Sequence, residues 1–161
     1  MNVMAFQFRV ATPDEDAVIA KHFYQMWRDL SVPADQIQPD WQQQVMDFIA
    51  AARQSLGFQA FVTQSLTGEL IGSVSCQRFA GLYPLVLSST YQQRGYIWGV
   101  FVEAAYRRQG IATKLTTMAV DHLKTLGCTH ALLNASPLGQ PVYANLGFEP
   151  GNLMSLKIVD G

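Results

Sequence analysis

Residues 6–10 alternate polar and apolar side chains, which predicts a first β-strand. Thr12, Pro13 and Glu15 then supply an N-cap, a proline at the first helical position and a capping-box acid. From there to about residue 30 the period turns helical, with Ala17, Ala20, Phe23, Tyr24, Trp27 and Leu30 on one face. A second helix over about 40–54 has Trp41, Val45, Phe48, Ile49 and Ala52 spaced for burial. Strand patterns return at 59–64 and 70–79, and Gly68 within the connection 65–69 marks a hairpin turn. Residues 80–95 carry no period at all. A long irregular connection is either functional or mobile. This one reads as a lid over a site, or as a surface excursion anchored by Leu85 and Leu87.

The run 96–102, rich in aromatic and β-branched residues, predicts a buried strand. Gly99 lies inside it, where an interior glycine marks a bulge. A helix follows, with Ile111, Leu115, Met118, Ala119, His122, Leu123 and Leu126 on one face and Gly127 as its stop. Residues 129–135 form a second buried strand. Strand, helix and strand at this spacing predict parallel pairing through a right-handed crossover. Pro141 and Gly147 bound a short helix carrying Tyr143, and Phe148, Met154, Leu156 and Ile158 predict closing strands that complete the sheet. With no repeat, linker or low-complexity stretch, the chain reads as one mixed α/β domain over residues 1–161.

Candidate chemistry concentrates at the joint between the 96–102 strand and its helix. Arg107, Arg108, Gln109, Gly110, Ile111 and Ala112 occupy it. Gly110 has no Cβ and reaches positive φ, so an anion can approach the main chain. Consecutive N–H groups leading into a helix N-terminus form an anion-binding concavity, and two arginines add charge. The joint is a diphosphate seat. A P-loop does not fit, because Thr113 and Lys114 are reversed and displaced, and a dinucleotide fold needs three spaced glycines.

The net charge of −1 argues against binding a nucleic-acid backbone. Cys76, Cys128 and the three histidines lack any ligand spacing, so no metal site is expected. The first nine residues lack the features of a signal peptide and no stretch approaches a membrane span, so the chain reads as cytoplasmic.

Residues 107–112, together with residues 134–148 ending in Tyr143, Gly147 and Phe148, resemble the two signature motifs of the GNAT superfamily of acyl-CoA-dependent N-acetyltransferases. The resemblance covers about the last third of the chain. It implies a twisted, mostly antiparallel sheet with a parallel, splayed central strand pair flanked by helices. It also implies acetyl-CoA as acyl donor, without a metal, and a pyrophosphate held by Arg107, Arg108, Gln109, Gly110, Ile111 and Ala112. The pantetheine arm would lie in the splay, pairing with the backbone of Val100 and Val102. Many family members place an asparagine seven residues before the tyrosine; here that position is Ser136, with Asn134 nearby, and either is a candidate for hydrogen-bonding the arm.

Acyl transfer to an amine needs an oxyanion donor and a proton for the departing thiolate. The N–H of Val100 and the phenol of Tyr143 are the candidates, with ordinary packing as the other reading of Tyr143. No carboxylate lies in 96–102, so no base is assigned; Asp29, Glu69 and water remain open, and Glu103 reads as a solvated strand end. By the same resemblance Trp27, Asp29 and the 31–39 loop border the acceptor site, and the 80–95 segment, lying just before the 96–102 strand, is a candidate lid on that side. Their low charge and aromatic content point to a small or moderately apolar amine. The function expected is N-acetylation of a primary amine, in a small molecule or peptide, by direct attack in a ternary complex. A non-catalytic acyl-CoA-binding regulatory module is the alternative. Oligomeric state stays open, with the homodimer common in the family as one option.

Overall fold

Five strands form one sheet in the order β1 (Gln7–Val10), β2 (Gln59–Gln64), β3 (Leu70–Arg78), β4 (Arg94–Val102) and β5 (His130–Leu132). The first four run antiparallel as a meander, and β5 is parallel to β4. The computed structural model describes residues 6–82 and 86–159; Tyr83, Pro84 and Leu85 of the candidate lid lie outside the described residues. Helices α1 (Asp16–Asp29) and α2 (Trp41–Ser55) cover one face, where Ile19, Ile49, Ala52, Phe58 and Ala60 form a core with Trp98 packed against it. Helix α3 (Ile111–Thr125) covers the other, burying Val74, Cys76, Ile97, Leu115 and Ala119. A short α4 (Gln140–Asn145) follows β5.

The start of α1 forms as its sequence dictates. A 3-10 turn, Pro13–Glu15, precedes it, and Glu15 Oε1 accepts the Thr12 backbone N–H at 2.9 Å. Arg9 donates two hydrogen bonds to the same carboxylate, at 2.9 and 2.7 Å, and these hold Glu15 down to about 2. At the next residue, Asp16 accepts two hydrogen bonds from Arg53, at 2.9 and 2.8 Å, locking α1 to α2.

The bulge at Gly99 is present. Ser73 pairs with Phe101 and Ser75 with Trp98, so two steps on β3 face three on β4. Gly99 has φ 65°, and a Cβ built there would meet Phe23 at an ordinary 3.6 Å. Backbone conformation, rather than space, is what calls for glycine. Beyond the bulge β4 has no partner on its β5 side: His130–Leu132 pairs with Arg94, Gly95 and Tyr96, and there the ladder stops. The 129–135 strand is therefore shorter than expected. Its apolar run reports burial and is blind to where pairing ends, because the extra residue in β4 turns that strand away.

The closing strands expected after Phe148 do not form. The chain leaves α4 through Gly147 at φ 98° and joins no strand among the described residues, with Met154 91% exposed and Leu156 and Ile158 similarly bare. Period-two alternation states which face a strand would bury, but pairing also needs an edge within reach, and this segment meets none among the described residues. No helix among the described residues is long and apolar enough to cross a membrane.

β3 is buried at every position between its ends, yet the face it turns to α1 carries Ser73, Ser75 and Gln77. The Ser73 hydroxyl lies 2.8 Å from His22 Nδ1, inside the α1 interface. Burial holds the His22 imidazole down to about 4, from an ordinary 6.5, and nearby Lys21 pushes the same way. Glu103 Oε1 stands 3.9 Å from Nε2, half-exposed and beyond hydrogen-bond reach, so its attraction does not reverse the effect. Between these two pH values the unfolded chain binds the proton and the folded one does not, so stability falls as pH drops from 6.5 towards 4. Urea unfolding at pH 7.5 and 4.5 should differ by roughly 2–3 kcal/mol from this residue alone. His22→Gln should flatten the dependence by that amount, and an unchanged slope would mean that His22 is protonated in the fold.

Candidate active site

The candidate diphosphate seat lies between β4 and α3. A 3-10 turn, Ala104–Tyr106, ends at Arg107 in extended conformation; Arg108 follows at φ 64° and Gly110 at φ 81°, immediately before Ile111 opens α3. The first hydrogen bond of the helix runs from Lys114 N–H to the Gly110 carbonyl at 3.1 Å, which leaves the preceding N–H groups without helical partners. Left-handed residues at 108 and 110 turn those groups into a concave row suited to an anion.

The two arginines do different work. Arg107 Nε donates to the Val102 carbonyl at 2.7 Å, its Nη2 donates to Asp29 at 2.8 Å, and the guanidinium lies over the Phe101 ring, 5.7 Å from its centroid. Its side chain is a latch joining the end of α1 to the end of β4, where sequence reasoning counted it as charge for the ligand. Desolvation pushes the Asp29 carboxyl up, but the hydrogen bonds from Arg107 and Gln25 outweigh it and hold the group below its usual range. An ionised, latched Asp29 is poorly suited to accept an amine proton. Gln109 does not line the cavity, and its side-chain carbonyl is buried without a partner among the described residues.

A cavity of about 1290 Å³ connects the seat to the sheet. Arg107, Arg108, Gly110, Ile111 and Ala112 line its mouth, and Val100, Val102, Asn134, Ser136 and Tyr143 line its middle, so every candidate except Gln109 is brought to one space. The Glu103 N–H donates across to Ile71 on β3, at 2.8 Å. Backbone groups alternate sides along a strand, so those of Val102 and Val100 point the other way, into the splay between β4 and β5.

Side chains past the splay have settled partners. Asn134 Nδ2 donates to the Tyr96 hydroxyl at 2.6 Å, and Ser136 Oγ accepts the Gly139 N–H at 3.1 Å, shaping the turn into α4. Tyr143 packs edge-on against Phe148, with ring centroids 6.0 Å apart. Gly139 leaves room for that ring, since a Cβ there would sit 3.0 Å from it. The Tyr143 hydroxyl bonds no described residue, and burial pushes its phenol above the ordinary 10.

At the far end the cavity is aromatic. Phe23, Trp27, Phe48 and Trp98 line it; Trp27 is 41% exposed and Phe48 47%, although helical spacing marked both for the core. Gln77 and Tyr96 also line it, and sequence reasoning missed them. Their signal was present, as a lone amide in a buried strand and a tyrosine at the start of one.

A model of the acetyltransferase (GNAT) family matches residues 20–148 of this chain. The chain belongs to the GNAT family. Its fold is similar to that of a GCN5-related N-acetyltransferase from Ralstonia eutropha JMP134, with TM-score 0.79, 22% identity, and 95% of this chain and 98% of that one covered. A predicted acetyltransferase from Clostridium acetobutylicum, solved with acetyl-CoA, gives TM-score 0.77 at 19% identity over 95% and 96% of the two chains. Glucosamine-6-phosphate N-acetyltransferase from Arabidopsis thaliana gives 0.66 at 18%, over 96% and 99%. Among curated proteins, none matches this GNAT chain in sequence.

The burial of Tyr143 has a spectroscopic consequence. In alkaline titration of the folded protein, the phenolate absorbance lost in Tyr143→Phe should emerge only above pH 10. A difference developing below that pH would mean a solvated phenol or one facing a cation.

Proposed function

We propose that this chain transfers acetyl from acetyl-CoA to a primary amine by direct attack within a ternary complex. The observation that carries the reading is one continuous cavity that joins the left-handed Gly110 turn, the β4 splay and Tyr143. The residues present fit the donor. Unpaired N–H groups at the start of α3, with Arg108, meet the diphosphate, and the outward backbone of Val102 and Val100 meets the pantetheine arm. The Clostridium neighbour solved with acetyl-CoA lends the same reading support.

In the reaction, the neutral amine nitrogen attacks the thioester carbonyl carbon. The Val100 N–H stabilises the oxyanion, the C–S bond breaks, and the sulfur takes its proton from Tyr143. A phenol raised by burial is a weak acid, so the proton moves as the C–S bond breaks, and solvent reprotonates the phenol afterwards. Asp29, the one carboxylate among the described residues that line the cavity, is latched to Arg107, so the ammonium proton of the tetrahedral adduct leaves to water as the amide forms. That missing base is also the observation favouring the second reading, an acyl-CoA-binding regulatory module without turnover.

Two substitutions separate the roles. Gly110→Glu places a charged side chain in a left-handed turn facing the diphosphate, and calorimetry should find acetyl-CoA affinity reduced by more than tenfold in the folded variant. Unchanged affinity would remove the turn from the site. Tyr143→Phe should keep the acetyl-CoA dissociation constant within about twofold while lowering kcat about a hundredfold, the usual scale of one general acid. Equal single-turnover rates in mutant and wild type would exclude the phenol as the acid. Absence of any amine-dependent thiol release, with acetyl-CoA bound, would favour the regulatory module.

A further inference from the structure

The aromatic end of the cavity holds a polar group that the chemistry above does not use. Gln77 is 4% exposed, on the face of β3 that meets α1. Its Oε1 accepts the Trp98 indole N–H at 2.8 Å. Indole nitrogen can only donate, so this bond fixes which end of the amide faces the ring and leaves the NH2 as the free end. That NH2 has no partner among the described residues, and Gln77 lines the cavity. The NH2 is not a closed-off unsatisfied group; it opens on the cavity, where water or an acceptor atom of a ligand completes its hydrogen bonding.

Around it stands an aromatic slot. Trp98 meets Phe23 edge-to-face at 5.0 Å and Phe48 at 5.8 Å, and Phe23 meets Trp27 at 5.9 Å. The charged side chains that line the cavity are Asp29, Arg107 and Arg108. Asp29 and Arg107 neutralise each other, and Arg108 sits in the diphosphate turn. Among the described residues that line the cavity, no free carboxylate is left for a polycation and no free cation for a sugar phosphate or an amino-acid carboxylate.

Resting on the acetyltransferase reading, we propose that the acceptor is an arylalkylamine whose ring sits among Phe23, Trp27 and Phe48 and carries an oxygen that accepts from the Gln77 amide.

The test measures acetyl-CoA-dependent thiol release by the full chain with tyramine, phenethylamine, spermidine, glucosamine and a lysine peptide. In parallel, calorimetry measures tyramine binding to the CoA-saturated protein. The expected result is kcat/KM for tyramine at least tenfold above spermidine, glucosamine and the peptide, and several-fold above phenethylamine. In Gln77→Glu, which keeps an oxygen for the indole but loses the NH2, and in Gln77→Leu, the tyramine-to-phenethylamine ratio should fall to near one. A ratio that survives both variants, or a preference for spermidine, glucosamine or the peptide, overturns the aromatic acceptor while leaving the transferase intact. Tyramine bound without thiol release from any amine supports the slot and overturns the transferase. Absence of both binding and turnover of tyramine overturns the slot.

Discussion

A β-strand in the middle of a sheet normally spends its backbone groups on both neighbours, and β4 cannot. The extra residue at Gly99 shifts the register against β3, and on the other side β5 pairs only as far as Tyr96. The strand beyond is held on one edge and open on the other, in the centre of the domain. Every feature proposed for the site is disposed about that opening: the Gly110 turn at its upper end, Tyr143 across from it, the aromatic slot beneath. Unpaired main-chain donors are expensive in a core, and this core tolerates them because they border a cavity that a ligand or water can fill.

Electrostatics in the cavity is arranged by subtraction. With three charged side chains along its wall, two of them paired to each other, selectivity falls to shape, hydrogen-bond polarity and the helix terminus. The same Arg107 that cancels Asp29 also grips the Val102 carbonyl, so the end of α1 and the turn leading into α3 are fastened through one guanidinium. Its planar fork makes both contacts at once, which a lysine could not do.

Much of this was legible in the order of residues. Element types and most boundaries follow from periodicity and punctuation: the Thr12 cap, the Gly68 hairpin, the Gly99 bulge and the Pro141 start each form as local chemistry dictates. The turn at 107–112 was legible because its glycine sits between a strand and a helix. What escaped was pairing and direction. Alternation at Met154, Leu156 and Ile158 could not reveal that no edge stands within reach, and the apolar run at 129–135 could not reveal where β5 peels away. Helical spacing placed Trp27 and Phe48 on an inward face, yet that face looks partly into a cavity rather than a core. Arg107 shows the same limit, since its partner, Asp29, is 78 residues away in the chain.

The short ladder of β5 also bears on how the domain moves and folds. Its three paired positions make the shortest ladder in the sheet, against four between β1 and β2 and six in each of the next two pairs. The meander is the cooperative body of the fold, and β5 with α4 is the segment that docks last and opens at lowest cost. Tyr143 rides on that segment. Amide exchange should rank it below the sheet in protection.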